Sequence, residues 1–165
     1  MAEREFALVR QNLEQALHKT AAWVGDHDLY AMLVDVAAQQ RDADALRQYA
    51  PLAEEAAARY GHVLYQAIAH RAWGIAHRLA GEYVEAEMRL KQALELFDGL
   101  DTRWQIGRTL NELGELALAR SDTTAARELY ARALAAFEQM RAVPDAARVR
   151  AALEPLVLLT SDERR

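Results

Sequence analysis

From Val63 to Ala80 apolar residues recur at the three- and four-residue steps of one helix face; Gly81-Glu82 interrupts the pattern, and Tyr83 to Leu100 resumes it on a new face. The alternation then repeats. Asp101-Thr102 reads as an N-cap pair for a helix through Trp104 to Arg120, and Ser121-Asp122 turns the chain into a helix over Thr123 to Met140. Upstream, Asp26 to Gln40 and Asp42 to Tyr60 form another pair, with Pro51 inside the second member predicting a kink or a fresh start. Ala2 to Thr20 reads as a leading helix carrying Phe6, Leu13 and Leu17, and Pro144 at a first helical position opens a closing helix to about Leu159. The polar tail, residues 161–165, is expected to fray.

These helices are copies. Trp73-Gly74 recurs as Leu113-Gly114, Gly81-Glu82-Tyr83 as Ser121-Asp122-Thr123, and Ala93-Leu94-Glu95 as Ala133-Leu134-Ala135, an offset of 40 residues. A repeat of that length, filled with helix formers, cannot bury its own apolar face and must stack on a neighbour. The expected architecture is all-α, about eight antiparallel helices in a single array over 1–165. Its parts are a leading half-repeat (2–20), helix-turn-helix units (24–60, 63–100, 103–140) and a closing helix (144–159).

Composition narrows the chemistry. Apolar residues make up 52% of the 165 while Gly and Pro together number ten, so the bias is helical and no strand is expected. A formal charge of −5 opposes direct binding to nucleic acid, which needs a basic surface. Cysteine is absent, which excludes disulfides, thiolate nucleophiles and Cys-based zinc sites. The charged amino terminus and the lack of a long apolar run predict a chain that is neither exported nor membrane-bound, with a cytoplasmic setting. Basic residues are nearly all Arg, with Lys at only Lys19 and Lys91.

The run Leu110-Asn111-Glu112-Leu113-Gly114-Glu115-Leu116-Ala117, followed by Ser121-Asp122, Ala126, Tyr130 and Ala133-Leu134, resembles the tetratricopeptide repeat. The preceding unit matches through His70, Trp73-Gly74, His77, Gly81-Glu82, Ala86, Leu90 and Ala93-Leu94. Gly74, Gly114, Ala86 and Ala126 are expected where two helices of a unit approach closely, because a branched side chain would force them apart. The period exceeds the family's usual 34 by about six residues. That long form is similar to the repeats of sensor regions in bacterial multidomain signalling ATPases and maltose-regulator-type activators. The resemblance implies a right-handed helical-repeat solenoid and a binding role.

No constellation points to catalysis. His70 and His77 lie two helical turns apart with Trp73 and Gly74 between them, which favours packed histidines with hydrogen-bond partners over a metal pair. Asp26-His27-Asp28 has the composition of a metal fragment, but its place before a helix makes N-capping by Asp26 the simpler account. No phosphate loop, nucleophile elbow or zinc-protease helix occurs. Neither an enzyme activity, a metal nor a cofactor is expected.

In the resembled family the first helix of each unit lines a concave groove through four of its positions. Carried onto this chain, they give Asp28, Ala31, Asp35 and Ala38; then Ile68, Arg71, Ile75 and Arg78; then Arg108, Asn111, Glu115 and Leu118; and Arg148 and Ala151 from the closing helix. The candidate binding set is Asp35, Ile68, Arg71, Ile75, Arg78, Arg108, Asn111, Glu115 and Arg148, acidic at one end and rich in Arg toward the other. Such a set suits an extended peptide held by charge-assisted contacts, with Asn111 bonding to its backbone. The expected function is therefore a non-enzymatic module binding a protein or peptide, as an adaptor or the sensor part of a regulatory system. Two alternatives are a small-molecule-sensing domain of a multidomain regulator and a self-associating scaffold. The last draws on Leu153, Leu156, Val157, Leu158 and Leu159, more apolar surface than one packing face hides, which points to a homodimer.

Overall fold

Among the described residues, six turns share one geometry. Residues 41, 61, 81, 101, 121 and 141 all have positive φ, between 50° and 80°, so the left-handed conformation recurs every 20 residues. At each the same hydrogen bonds close the preceding helix. Gly81 donates its N–H to Arg78 O and Glu82 to His77 O; Ser121 donates to Leu118 O and Asp122 to Ala117 O; Arg141 donates to Glu138 O and Ala142 to Phe137 O. This is the Schellman closure, which satisfies the last carbonyls of a helix and reverses the chain. The 40-residue sequence repeat is thus two structural half-periods.

A computed structural model describes residues 2–20 and 26–162, with side chains over 5–17 and 26–156. Among the described residues it contains eight α-helices and no strand: α1 (Ala2–Thr20), α2 (Asp26–Gln40), α3 (Ala43–Tyr60), α4 (Val63–Ala80), α5 (Tyr83–Gly99), α6 (Arg103–Ala119), α7 (Thr123–Gln139) and α8 (Val143–Asp162). The helical-repeat fold expected from the periodicity is therefore present. Asp42 and Asp122 cap α3 and α7, their carboxylates accepting from Ala45 N at 3.0 Å and Ala125 N at 2.9 Å. Thr102 stands at the N-cap of α6 but does not cap it; its hydroxyl donates back to Phe97 O at 3.0 Å. Asp26 lies in the first turn of α2 rather than ahead of it, 3.6 Å from Arg59 Nη1.

Pro51 neither ends nor restarts a helix. α3 runs through it, because the proline is exposed while Ala50, Ala53, Ala56 and Ala57 bury the opposite stripe. The lost hydrogen bond then falls on the side where water can solvate the released carbonyl. At the carboxyl end α8 passes Pro155 and continues to Asp162, so Ser161 and Asp162 are helical where a frayed tail was expected; 163–165 lie outside the described residues.

The chain divides into two compact units, one up to Ala93 and the other from Leu94, the division falling within α5. In the first unit Leu33, Val34, Leu46, Ala50, Ala69, Ile75 and Leu90 form part of the buried core. Gly74 lets α4 and α5 close on each other: a Cβ there would come within 2.5 Å of Leu90 Cγ and 3.2 Å of Ala86 O. α1 is held across α2 and α3 by polar contacts, with Arg10 Nη2 2.7 Å from Asp42 Oδ2 and 2.6 Å from Gln40 Oε1, and Tyr49 donating to Glu14.

In the second unit α6, α7 and α8 enclose Leu110, Ala117, Ala126, Tyr130, Ala133, Phe137, Ala146, Val149 and Leu156. Two glycines of α6 face the rings of α7. A Cβ on Gly114 would lie 2.7 Å from Tyr130 Cε1, and one on Gly107 would lie 2.9 Å from Phe137 Cε1. Gly114 and Gly74 therefore occupy the close crossings that the repeat pattern predicts; Gly107 is a third.

Candidate interaction surface

The first-unit candidates separate by burial. Ile68, Arg71 and Ile75 are 7%, 2% and 2% exposed, so none forms an open wall. Arg71 is a correction to the sequence reading. It reaches from α4 to α2, where its Nη2 lies 3.3 Å from Asp35 Oδ1, and this ion pair is part of the unit's interior. A guanidinium needs such a partner when water is removed. Asp35 and Arg78 stay half-buried, as do Ile68's neighbours Tyr65 and Gln66. Tyr65 donates its hydroxyl to Asp28; that bond and partial burial push the phenol up to about 12.

His70 and His77 both have hydrogen-bond partners. Arg89 Nη1 lies 2.8 Å from His70 Nδ1 and 2.7 Å from Glu54 Oε1, and Trp73 donates its indole N–H to Glu54 Oε2 at 2.8 Å. An arginine can only donate, so Nδ1 of His70 accepts and its proton sits on Nε2. Burial, then the charge of Arg89, lowers the His70 pKa, with Glu54 opposing. Glu54 is itself lowered: burial pushes it up, but the bond and charge of Arg89 and the Trp73 N–H outweigh that. His77 stacks on Trp73 with centroids 5.5 Å apart and donates from Nδ1 to Glu82 Oε2 at 2.6 Å. Among the described residues no group of three or more His, Cys, Asp or Glu side chains can hold a metal ion.

The second unit brings its candidates together. On α6, Arg108, Asn111 and Glu115 remain half-buried along one face, while Leu110, Leu113, Gly114 and Ala117 are buried. Tyr130 of α7 donates its hydroxyl to Glu115 Oε1 at 3.2 Å, fixing that carboxylate. Arg108 lays its guanidinium over the Trp104 ring, 4.7 Å from the centroid. Trp104 in turn donates its indole N–H to Asp145 Oδ2 of α8 at 3.0 Å, and Arg148 donates to Asp145 Oδ1. Arg108 and Arg148 are thus joined through Trp104 and Asp145.

Trp104 and Asp145 were not in the sequence-derived set. The Trp104–Arg108 spacing of four places both on one helix face and was readable. The Trp104–Asp145 contact was not, except through the repeat register, which puts Asp145 on Gln105. Of the apolar residues offered for self-association, Leu153 and Leu156 pack against the second unit's own core, Leu156 being 8% exposed. The side chains of Val157, Leu158 and Leu159 lie outside those described. No described helix is long and apolar enough to cross a membrane.

Residues 65–139 match the family model described as tetratricopeptide repeat. Among solved structures the chain is similar to BtubC (BKLC) from P. vanneervenii, at 16% identity and a TM-score of 0.64, covering 97% of this chain and 76% of that one. No curated protein matches the sequence. The family generally mediates protein–protein interaction. Helices that repeat every 40 residues, the small residues at their crossings and the family match meet in one conclusion: residues 65–139 of this chain are tetratricopeptide repeats.

Proposed function

We propose that this chain is a non-enzymatic adaptor or sensor module that binds an extended peptide of a partner protein through the second unit, on the face formed by α6 and α8. The observation that carries the reading is the row Arg108, Asn111 and Glu115, which stays half-buried on α6 beside the buried stripe of Gly107, Leu110, Leu113, Gly114 and Ala117. In the preceding repeat Ile68, Arg71 and Ile75 stand at the corresponding positions and are buried, which shifts the candidate surface toward the carboxyl-terminal repeats. Asn111 supplies a donor and an acceptor for a peptide backbone, while Arg108 and exposed Arg148 supply cations for its carboxylates. Glu115, held by Tyr130, adds an acceptor of fixed position.

A charge-assisted bond is worth about 1.5–3 kcal/mol, so a few of these contacts suffice for a specific, reversible complex. The proposed setting is cytoplasmic. The test is calorimetric titration of the full chain with a bound peptide selected from a displayed library, repeated with Asn111→Ala and with Glu115→Gln. Weaker binding in both variants at unchanged helicity supports the reading; equal affinity in both removes it.

A further inference from the structure

We propose that the face of α2 and α3 beneath α1 is a helix-recognition site, and that the α1 of a second copy of this chain fills it in trans, by reciprocal exchange. The site belongs to the first unit and is separate from the α6–α8 face. α1 is the most weakly seated helix. Its half-buried residues Phe6, Arg10, Leu13, Glu14 and Leu17 form one stripe at helical spacing, yet no described side chain of α1 is buried, whereas every other helix buries at least three. Arg10 Nε is buried without a hydrogen-bond partner among the described residues, a donor whose lost hydration nothing offsets. On the other side of the helix Leu8 is 57% and Val9 43% exposed, apolar surface that the single chain leaves uncovered. An element with so little buried apolar surface is the first to open.

The face that α1 covers is costly to leave in water. α1 packs on α2, and Gln40, which accepts from Arg10, follows Val36 by four residues and Leu33 by seven, so the three share one side of α2. Val36 and Leu33 are both buried, and departure of α1 opens that stripe to solvent. Polar groups beside it select what returns. Asp42 Oδ2 and Gln40 Oε1 take a guanidinium, at 2.7 Å and 2.6 Å from Arg10 Nη2, and the buried Tyr49 donates to the carboxylate of Glu14, one turn further along α1. The site therefore reads a helix with an apolar stripe and an Arg followed four residues later by a Glu. A second copy carries that helix residue for residue. Exchange re-forms in trans the contacts broken in cis, and mass action favours it as concentration rises.

The test is sedimentation equilibrium of the full chain from low micromolar to near-millimolar concentration, alone and with an excess of a synthetic α1 peptide, Ala2–Thr20. The dimer fraction should rise with concentration, and the peptide should return the chain to monomer by occupying the site. The same peptide with Arg10→Glu, which sets a carboxylate against Asp42, should compete at least about tenfold more weakly. The full-chain variant Arg10→Glu should likewise dimerise at least about tenfold more weakly, while circular dichroism shows its helices retained. A chain that stays monomeric throughout overturns the proposal. So does a dimer indifferent to the peptide or to Arg10→Glu, or one that both peptides disperse equally.

Discussion

At the residue scale, the side chains that are missing matter as much as those present. Gly114 leaves room for the Tyr130 ring, whose Cε1 would stand 2.7 Å from a Cβ. Gly114→Val should therefore destabilise the second unit by about 3 kcal/mol, since neither α7's fully buried ring nor the helix backbone can yield freely; thermal unfolding within a degree or two of the parent would contradict the crossing. Buried charge makes a second residue-scale case. Arg71 is 2% exposed and leans on Asp35, so Asp35→Ala removes a carboxylate partner from a buried guanidinium. The expected loss is about 2 kcal/mol, below the full cost of a buried pair because Asp35 is itself 30% exposed. Urea unfolding of Asp35→Ala and Asp35→Asn measures it, and the amide should cost less.

At the element scale, the helices from α2 to α8 are joined by six left-handed closures of one kind, of which only Gly61 and Gly81 use glycine. Arg41, Asp101, Ser121 and Arg141 bear the strain of a Cβ in that conformation. Replacing Ser121 or Arg141 by Gly should stabilise the chain by about 0.5–1 kcal/mol, the relief of strain exceeding the added freedom of the unfolded chain. A lowered melting temperature in both variants would mean that these side chains contribute contacts outweighing the strain. The tie between α3, α4 and α5 predicts a pH dependence. His70 binds its proton less readily folded than unfolded, so its contribution is complete above its ordinary 6.5 and is lost as pH falls below that value. Glu54 and Asp42, both lowered, add a second loss below 4.5 and 3.8. Denaturant midpoints should fall as the solution is acidified from about pH 7.5 to 5.5, and His70→Gln, which can still accept from Arg89 but cannot titrate, should flatten that first step.

At the scale of the whole molecule, the period made most of the fold legible. A 40-residue offset with small residues at fixed places gave the helix order and the crossings at Gly74 and Gly114. In the first copy the sizes are exchanged: Val34 and Ala50, both buried, stand where Gly74 and Leu90 stand in the next. The first copy thus differs in sequence at these places while the helices persist. Four of the six closures lack the glycine that announces a left-handed turn, although Asp101-Thr102 and Ser121-Asp122 still mark where the chain leaves one helix for the next. Coverage was the harder quantity. Repeat register pairs Ile68 with Arg108 and Arg71 with Asn111, yet Ile68 and Arg71 are buried while Arg108 and Asn111 stay half-buried, a difference in coverage that register alone does not give. The Trp104–Asp145 bond, 41 residues apart, belongs to the same class of tertiary fact.

The central claim is that the α6–α8 face of the second unit receives the partner peptide, and its most direct measurement is backbone and side-chain amide mapping by NMR. The isotopically labelled full chain would be titrated with a bound peptide selected from a displayed library. The account predicts shifts concentrated at Arg108, Asn111, Glu115, Asp145 and Arg148 and at the Trp104 indole N–H, with the buried Arg71 region unmoved. Shifts confined to the exposed faces of α5 and α7, or none at saturating peptide, would contradict it.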